Sequence, residues 1–87
     1  MNIRIEEHTL IRANERGATE SEIIETIQNG IMINAKLDRM AKWKIFPFKD
    51  YRNRKYYEQK KIEVYYIIEY NEIITVTVYV FFGKFEL

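Results

Sequence analysis

The sequence predicts an α+β fold in which two N-terminal helices pack on one face of a mostly antiparallel β-sheet. Three observations carry that expectation. Leucine and isoleucine recur at helical spacing in the first third of the chain. From Tyr51 onward the segments are rich in Tyr, Ile, Val and Thr, the residues that suit a pleated, half-buried surface. The chain has 87 residues, 47% of them apolar and 15% aromatic. That is enough for one core and too little for two, so residues 1–87 are read as a single domain.

The first helix is expected from about Glu6 to Arg16, with Leu10 and Ile11 toward a core and His8, Arg12, Glu15 and Arg16 on the other side. Gly17 suits its stop, since glycine takes the left-handed conformation that ends helices. Thr19-Glu20-Ser21-Glu22 matches a capping box, and Ile23, Ile24 and Ile27 follow at helical spacing before Asn29-Gly30. A second helix from about Glu20 to Gln28 follows from this. Ile31 to Asn34 reads as a short strand, Lys36 to Lys42 as a loop, and Trp43 to Phe48 as an extended piece in which Pro47 argues for a sheet edge.

A three-stranded meander is expected beyond that: Tyr51 to Tyr57, a polar turn at Glu58-Gln59-Lys60-Lys61, Ile62 to Tyr70, a turn at Asn71-Glu72, and Ile73 to Phe82. Strict alternation in the last strand puts Ile74, Val76, Val78 and Val80 on the face toward the helices. Thr75, Thr77, Tyr79 and Phe81 then share the opposite face, where a ligand can lie.

Composition narrows the function. The absence of cysteine excludes a disulfide framework, a thiol nucleophile and thiolate metal sites. A single histidine with scattered glutamates has no recognisable metal-ligand spacing, so neither a metal nor another cofactor is expected. Met1 to Glu7 lacks the apolar core of a signal peptide and no window approaches a membrane span, which leads to the expectation of a cytoplasmic protein. The net charge of +1 conceals three unlike parts: residues 1–35 sum to −3, residues 36–61 to +7 and residues 62–87 to −3. A local basic stretch attracts phosphate even on a nearly neutral protein, because charges are felt over only about 8–10 Å in physiological salt. Lys42, Lys44, Arg52, Arg54 and Lys55 are the candidates to guide a nucleic-acid backbone; the alternative is a solvated, lysine-guarded pair of edge strands.

His8, Arg12 and Arg16 follow one another at intervals of four residues. Over those eight positions a helix turns so that Arg16 lies only about 80° around from His8, with Arg12 between them. An imidazole moves protons near neutral pH, and guanidinium forks hold phosphate oxygens and the charge of a pentacoordinate transition state. Arginine on a helix face equally serves to pair with a local carboxylate such as Glu15. The helix N-terminus and the neighbouring Glu6 and Glu7 pull the protonation of His8 in opposite directions. Most of the tyrosines read as sheet packing. Tyr79 stands apart because it shares a face with Thr75 and Thr77.

The run His8-Thr9-Leu10-Ile11-Arg12-Ala13-Asn14-Glu15-Arg16-Gly17, the isoleucine helix ending in Asn29-Gly30, and the closing Ile74-Thr75-Val76-Thr77-Val78-Tyr79 with Gly83 together resemble the domain-of-unknown-function 4258 family. That family is grouped with RelE-like toxins in the broader fold that includes barnase and EndoU nucleases. The resemblance covers both ends of the chain, while Lys36 to Lys61 matches only loosely. It implies a RelE-like domain acting as a metal-independent endoribonuclease, the toxin of a toxin–antitoxin pair with an antitoxin protein as partner. It further implies attack of the ribose 2′-hydroxyl on its own phosphate, with His8 as acid or base, Arg12 and Arg16 holding the phosphate, and Tyr79 or Thr77 positioning it. A non-catalytic RNA- or protein-binding domain of the same fold is the rival expectation, and a purely structural role for the arginines and tyrosines is a third.

Overall fold

The computed structural model describes residues 1–36 and 38–85. In chain order it comprises β1 (Asn2–Arg4), α1 (Glu7–Arg16), α2 (Glu20–Asn29), β2 (Ile31–Ile33), β3 (Met40–Arg52), β4 (Lys55–Glu69) and β5 (Glu72–Gly83). The strands form one sheet in the order β1-β5-β4-β3-β2. Among the described residues only the β1–β5 pair is parallel. α1 lies against β5 and α2 against β3 and β4, so the architecture is the expected α+β arrangement with both helices on one face. Among the described residues no helix is long and apolar enough to cross a membrane.

The local signals act as expected at the helix ends. Thr19 accepts from the Glu22 N–H while the Glu22 side chain accepts from the Thr19 N–H, closing a capping box on α2. Gly17 ends α1 at φ 95°, with the Gly17 and Ala18 N–H groups both donating to the Ala13 carbonyl. A side chain at Gly17 would be strained by that φ and would also meet Arg52 and Phe82, each within about 3 Å.

The buried face of α1 is not the one expected. Thr9 and Ala13 are the buried residues, whereas Ile11 is 53% exposed. The cause is a polar contact that outweighs an aliphatic one. The Thr75 hydroxyl, itself buried, donates to the Thr9 hydroxyl at 3.0 Å and accepts from the Glu6 N–H at 3.0 Å, so it satisfies an unpaired donor at the start of the helix. Small side chains at 9 and 13 let the helix approach closely. Ala13, Ala18, Ile23, Ile27, Ile62, Val64, Tyr66 and Val78 form the core between the layers.

Three boundaries also differ from the sequence reading. Residues 58–61 do not turn: they run through the middle of β4, and the hairpin reverses at Asn53-Arg54, both at positive φ. β3 is one long strand from Met40, absorbing the last three residues of the expected loop; residue 37 of that loop lies outside the described residues. It is interrupted by an irregularity between Pro47 and Asp50, where Lys49 takes φ 49°. Pro47 lies beyond the reach of β2, where β3 is an edge, as proline requires. The parallel strand β1, three residues long, carried no sequence signal of its own.

Candidate functional site

Alternation along β4 divides the central basic stretch between two faces. Lys60, Ile62, Val64 and Tyr66 are buried under the helices, while Lys61, Glu63 and Tyr65 point to the open side. Cross-strand register places Lys42 opposite Val64 and Lys44 opposite Ile62, hence on the helix side too. There the cations have internal partners. Lys42 Nζ donates to the Ile27 carbonyl near the end of α2 at 2.7 Å. Lys44 pairs with Glu25 at 2.8 Å, and this contact, followed by the Asn29 amide, holds the Glu25 carboxyl below the ordinary glutamate range. Arg52 donates to the Glu15 carbonyl at 2.9 Å and stacks on Phe82. Of the five candidate backbone guides, only Arg54 and Lys55 stand exposed at the hairpin tip, beside the edge-to-face pair Tyr51 and Tyr56. The five therefore do not form one basic surface.

The residues at the two ends of the chain do meet, at the edge of β5. β1 covers β5 only at Glu72–Ile74. Immediately beyond, the pairing of β4 with β5 slips between Tyr65 and Tyr66, leaving Val76 as the extra residue of a bulge. This bulge also reverses the expected faces of its neighbours. Thr75 turns under the helices and Ile74 to the open side, while Val78 and Val80 keep the helix side and Thr77, Tyr79 and Phe81 the open side.

α1 supplies what the missing strand would have supplied. His8 Nε2 donates to the Val76 carbonyl at 2.8 Å, and Arg16 Nη1 donates to the Val78 carbonyl at 2.6 Å. The two carbonyls are about 6.5 Å apart along a strand. A carbonyl only accepts, so this contact fixes the hydrogen on Nε2 and leaves the lone pair of the neutral imidazole on Nδ1. Arg16 also lies over the Tyr79 ring, 5.2 Å from its centre, which links the helix side of the edge to the open side. Its bond to Val78 uses one of five guanidinium N–H groups.

Arg12 extends from the same helix to an exposed ion pair with Glu15 at 3.7 Å, a contact too loose and solvated to hold it in place. Thr77 faces the open side opposite Tyr65. The structure thus joins His8, Arg16 and Tyr79 through the bulged edge, leaves Arg12 on the same helix beside Glu15, and sets Thr77 on the same face as Tyr79.

The open face holds side chains that the sequence reading passed over. Lys61 lies between the rings of Trp43 and Phe81, at 5.1 and 6.0 Å, and Tyr65 meets Tyr79 edge to face at 5.8 Å. Burial, then the neighbouring Glu63 and Tyr79, push the Tyr65 hydroxyl above its usual range, so it stays a hydrogen-bond donor. Shallow grooves border this surface: one lies among Trp43, Ile45, Lys61, Lys84 and Phe85, another among Asn34, Ala35, Lys36, Arg39 and Tyr65. The signal in the sequence was the lysine pair in mid-strand. Read as a turn, Lys60-Lys61 loses its meaning; read as a strand, it sends one lysine inward and one outward. Among the described residues no three His, Asp or Glu side chains gather as a metal site would need.

No family model, no curated protein and no solved structure matches this chain.

Proposed function

We propose that this chain is a metal-independent endoribonuclease of RelE-like type, the toxin of a toxin–antitoxin pair, acting at the exposed edge of β5. The observation that carries the reading is the seating of His8 and Arg16 on two successive outward carbonyls of one bulged strand, with Arg16 lying over the Tyr79 ring. In this mechanism His8 Nδ1 takes the proton of a ribose 2′-hydroxyl as that oxygen attacks the adjacent phosphorus. The bond from phosphorus to the 5′-oxygen breaks and that oxygen takes a proton from solvent water, giving a 2′,3′-cyclic phosphate and a 5′-hydroxyl end. The spare N–H groups of Arg16, joined by Arg12, hold the non-bridging oxygens as charge builds on them. Tyr79, with Thr77 beside it, donates to the same phosphate. The bond from Nε2 to Val76 orients the ring as a second group orients the histidine of a catalytic triad. Lys61, Trp43 and Phe81 on the open face offer a cation and stacking surfaces to the flanking nucleotides, and an acidic or amphipathic antitoxin is the partner that would cover them.

One observation favours a second reading. His8 and Arg16 both engage main-chain carbonyls, as groups that merely seal a sheet edge would. On that account the domain binds RNA or protein through the open face and cleaves nothing. Expression and RNA affinity together separate the two. The ribonuclease reading expects wild-type protein to arrest its host while His8→Gln, which keeps an N–H for Val76 but cannot take up a proton, is tolerated. Equal growth with both proteins, together with RNA affinity that survives His8→Gln and falls steeply with salt, would select the binding domain.

A further inference from the structure

The four edges of this sheet are not equally protected. β5 beyond Ile74 is sealed by His8 and Arg16. β1, outermost on that side, carries Arg4, which pairs with Glu6 and Glu72. The stretch of β3 beyond β2 carries Pro47 and an irregular Lys49. These are the usual guards against edge-to-edge pairing. β2, outermost at the other end, has none: its sequence is Ile31-Met32-Ile33, with Ile31 50% and Met32 58% exposed.

We infer that β2 pairs with β2 of a second copy of this chain, antiparallel about a two-fold axis through Met32, to form a continuous ten-stranded sheet. A strand whose sequence reads alike in both directions is complementary to itself. In this register Met32 faces Met32 of the second copy and Ile31 faces Ile33, so like side chains meet on like faces of the sheet. The flanking residues agree. Gly30 falls opposite Asn34 and Asn29 opposite Ala35, so no like charges oppose each other. The C-terminal end of α2, answered within the same chain by Lys42 on the Ile27 carbonyl, brings no unpaired charge to the seam. A three-residue seam is small, below the roughly 1,200 Å² of stable specific complexes, so the dimer is weak and concentration-dependent. Because β2 is the strand farthest from β5, both candidate sites stay open at the outer ends of the joint sheet. The inference is independent of the ribonuclease reading.

The chain lacks cysteine, so a single introduced thiol reports on one contact alone. Under mild oxidant Met32→Cys is expected to give a disulfide-linked dimer, because directly opposed residues of an antiparallel pair lie within about 4.5–5.5 Å. Tyr70→Cys, fully exposed on the β4–β5 turn, is expected to stay monomeric and measures random collision. Ile31→Cys and Ile33→Cys are each expected to crosslink poorly alone and well when mixed. Sedimentation of the unmodified chain over a concentration series should show reversible dimerisation, abolished by Met32→Lys, which sets two charges on the axis. A chain that remains monomeric throughout, a dimer that Met32→Lys leaves intact, or equal crosslinking of Met32→Cys and Tyr70→Cys would each overturn the inference. None of these variants touches His8, so RNA cleavage by the same samples is read separately.

Discussion

The two faces of the sheet use lysine in opposite ways. On the helix side Lys60 is 7% exposed and donates to both the Glu22 carboxylate and the Gly17 carbonyl, tying β4 to the junction between the helices. One residue later Lys61 faces the open side and lies between two aromatic rings, its carboxylate partner Glu63 at 3.3 Å. Identical chemistry becomes structural in one case and available in the other, and strand alternation alone decides which. A count of basic residues along a strand therefore overstates the charge presented to a partner by about two-fold.

Removing each lysine in turn separates the two roles. Lys60→Ala leaves the Glu22 carboxylate and a helix-end carbonyl without their donor, and a loss of about 3 kcal/mol is expected in denaturant unfolding. Lys61→Ala, which loses a half-buried pair with Glu63 and two ring contacts but leaves no helix end without a donor, is expected to cost about 1 kcal/mol while weakening RNA binding and flattening its salt dependence. Equal destabilisation by both would mean that the faces are not distinct. Thr75→Val comes next. It deprives the Glu6 N–H and the Thr9 hydroxyl of a partner inside the protein, and should cost about 1–3 kcal/mol in the same experiment. A neutral result would show that α1 is placed by apolar packing after all.

The smallest effect belongs to Lys44 and Glu25. The folded state holds the Glu25 carboxyl below its ordinary 4.5, first through Lys44. The stabilisation is thus present above the unfolded value and fades as pH falls through the lowered folded value. Stability measured against pH should lose a little of its acid-side slope in Lys44→Met; an unchanged slope would assign that dependence to other carboxylates.

How much of this was legible beforehand follows from the range over which each signal acts. The capping box at Thr19 and Glu22 and the stop at Gly17 are local, and they stand where the sequence put them. The same holds for Val78 and Val80 on the helix side with Tyr79 and Phe81 opposite. The Asn53-Arg54 turn was missed because alternating Glu58 and Lys60 look polar, and only the distant Glu22 makes a buried lysine tolerable there. The bulge at Val76 was not legible either, since it answers a helix some seventy residues earlier in the chain. It is the feature that gives His8 its carbonyl and sends Thr75 inward to meet Thr9. The candidate site was legible as residue types at both ends of the chain. Its meeting point, with Arg16 bridging the edge to Tyr79, required the tertiary structure.

The most direct test of the central claim is cleavage of total RNA by purified protein in excess EDTA, comparing wild type with His8→Gln and Arg12→Ala and identifying the product ends. A ribonuclease acting through His8 leaves 2′,3′-cyclic phosphate ends from the wild type, none from His8→Gln, and a rate reduced by about one to two orders of magnitude in Arg12→Ala. RNA left intact by the wild type, or cut equally well by His8→Gln, would contradict it.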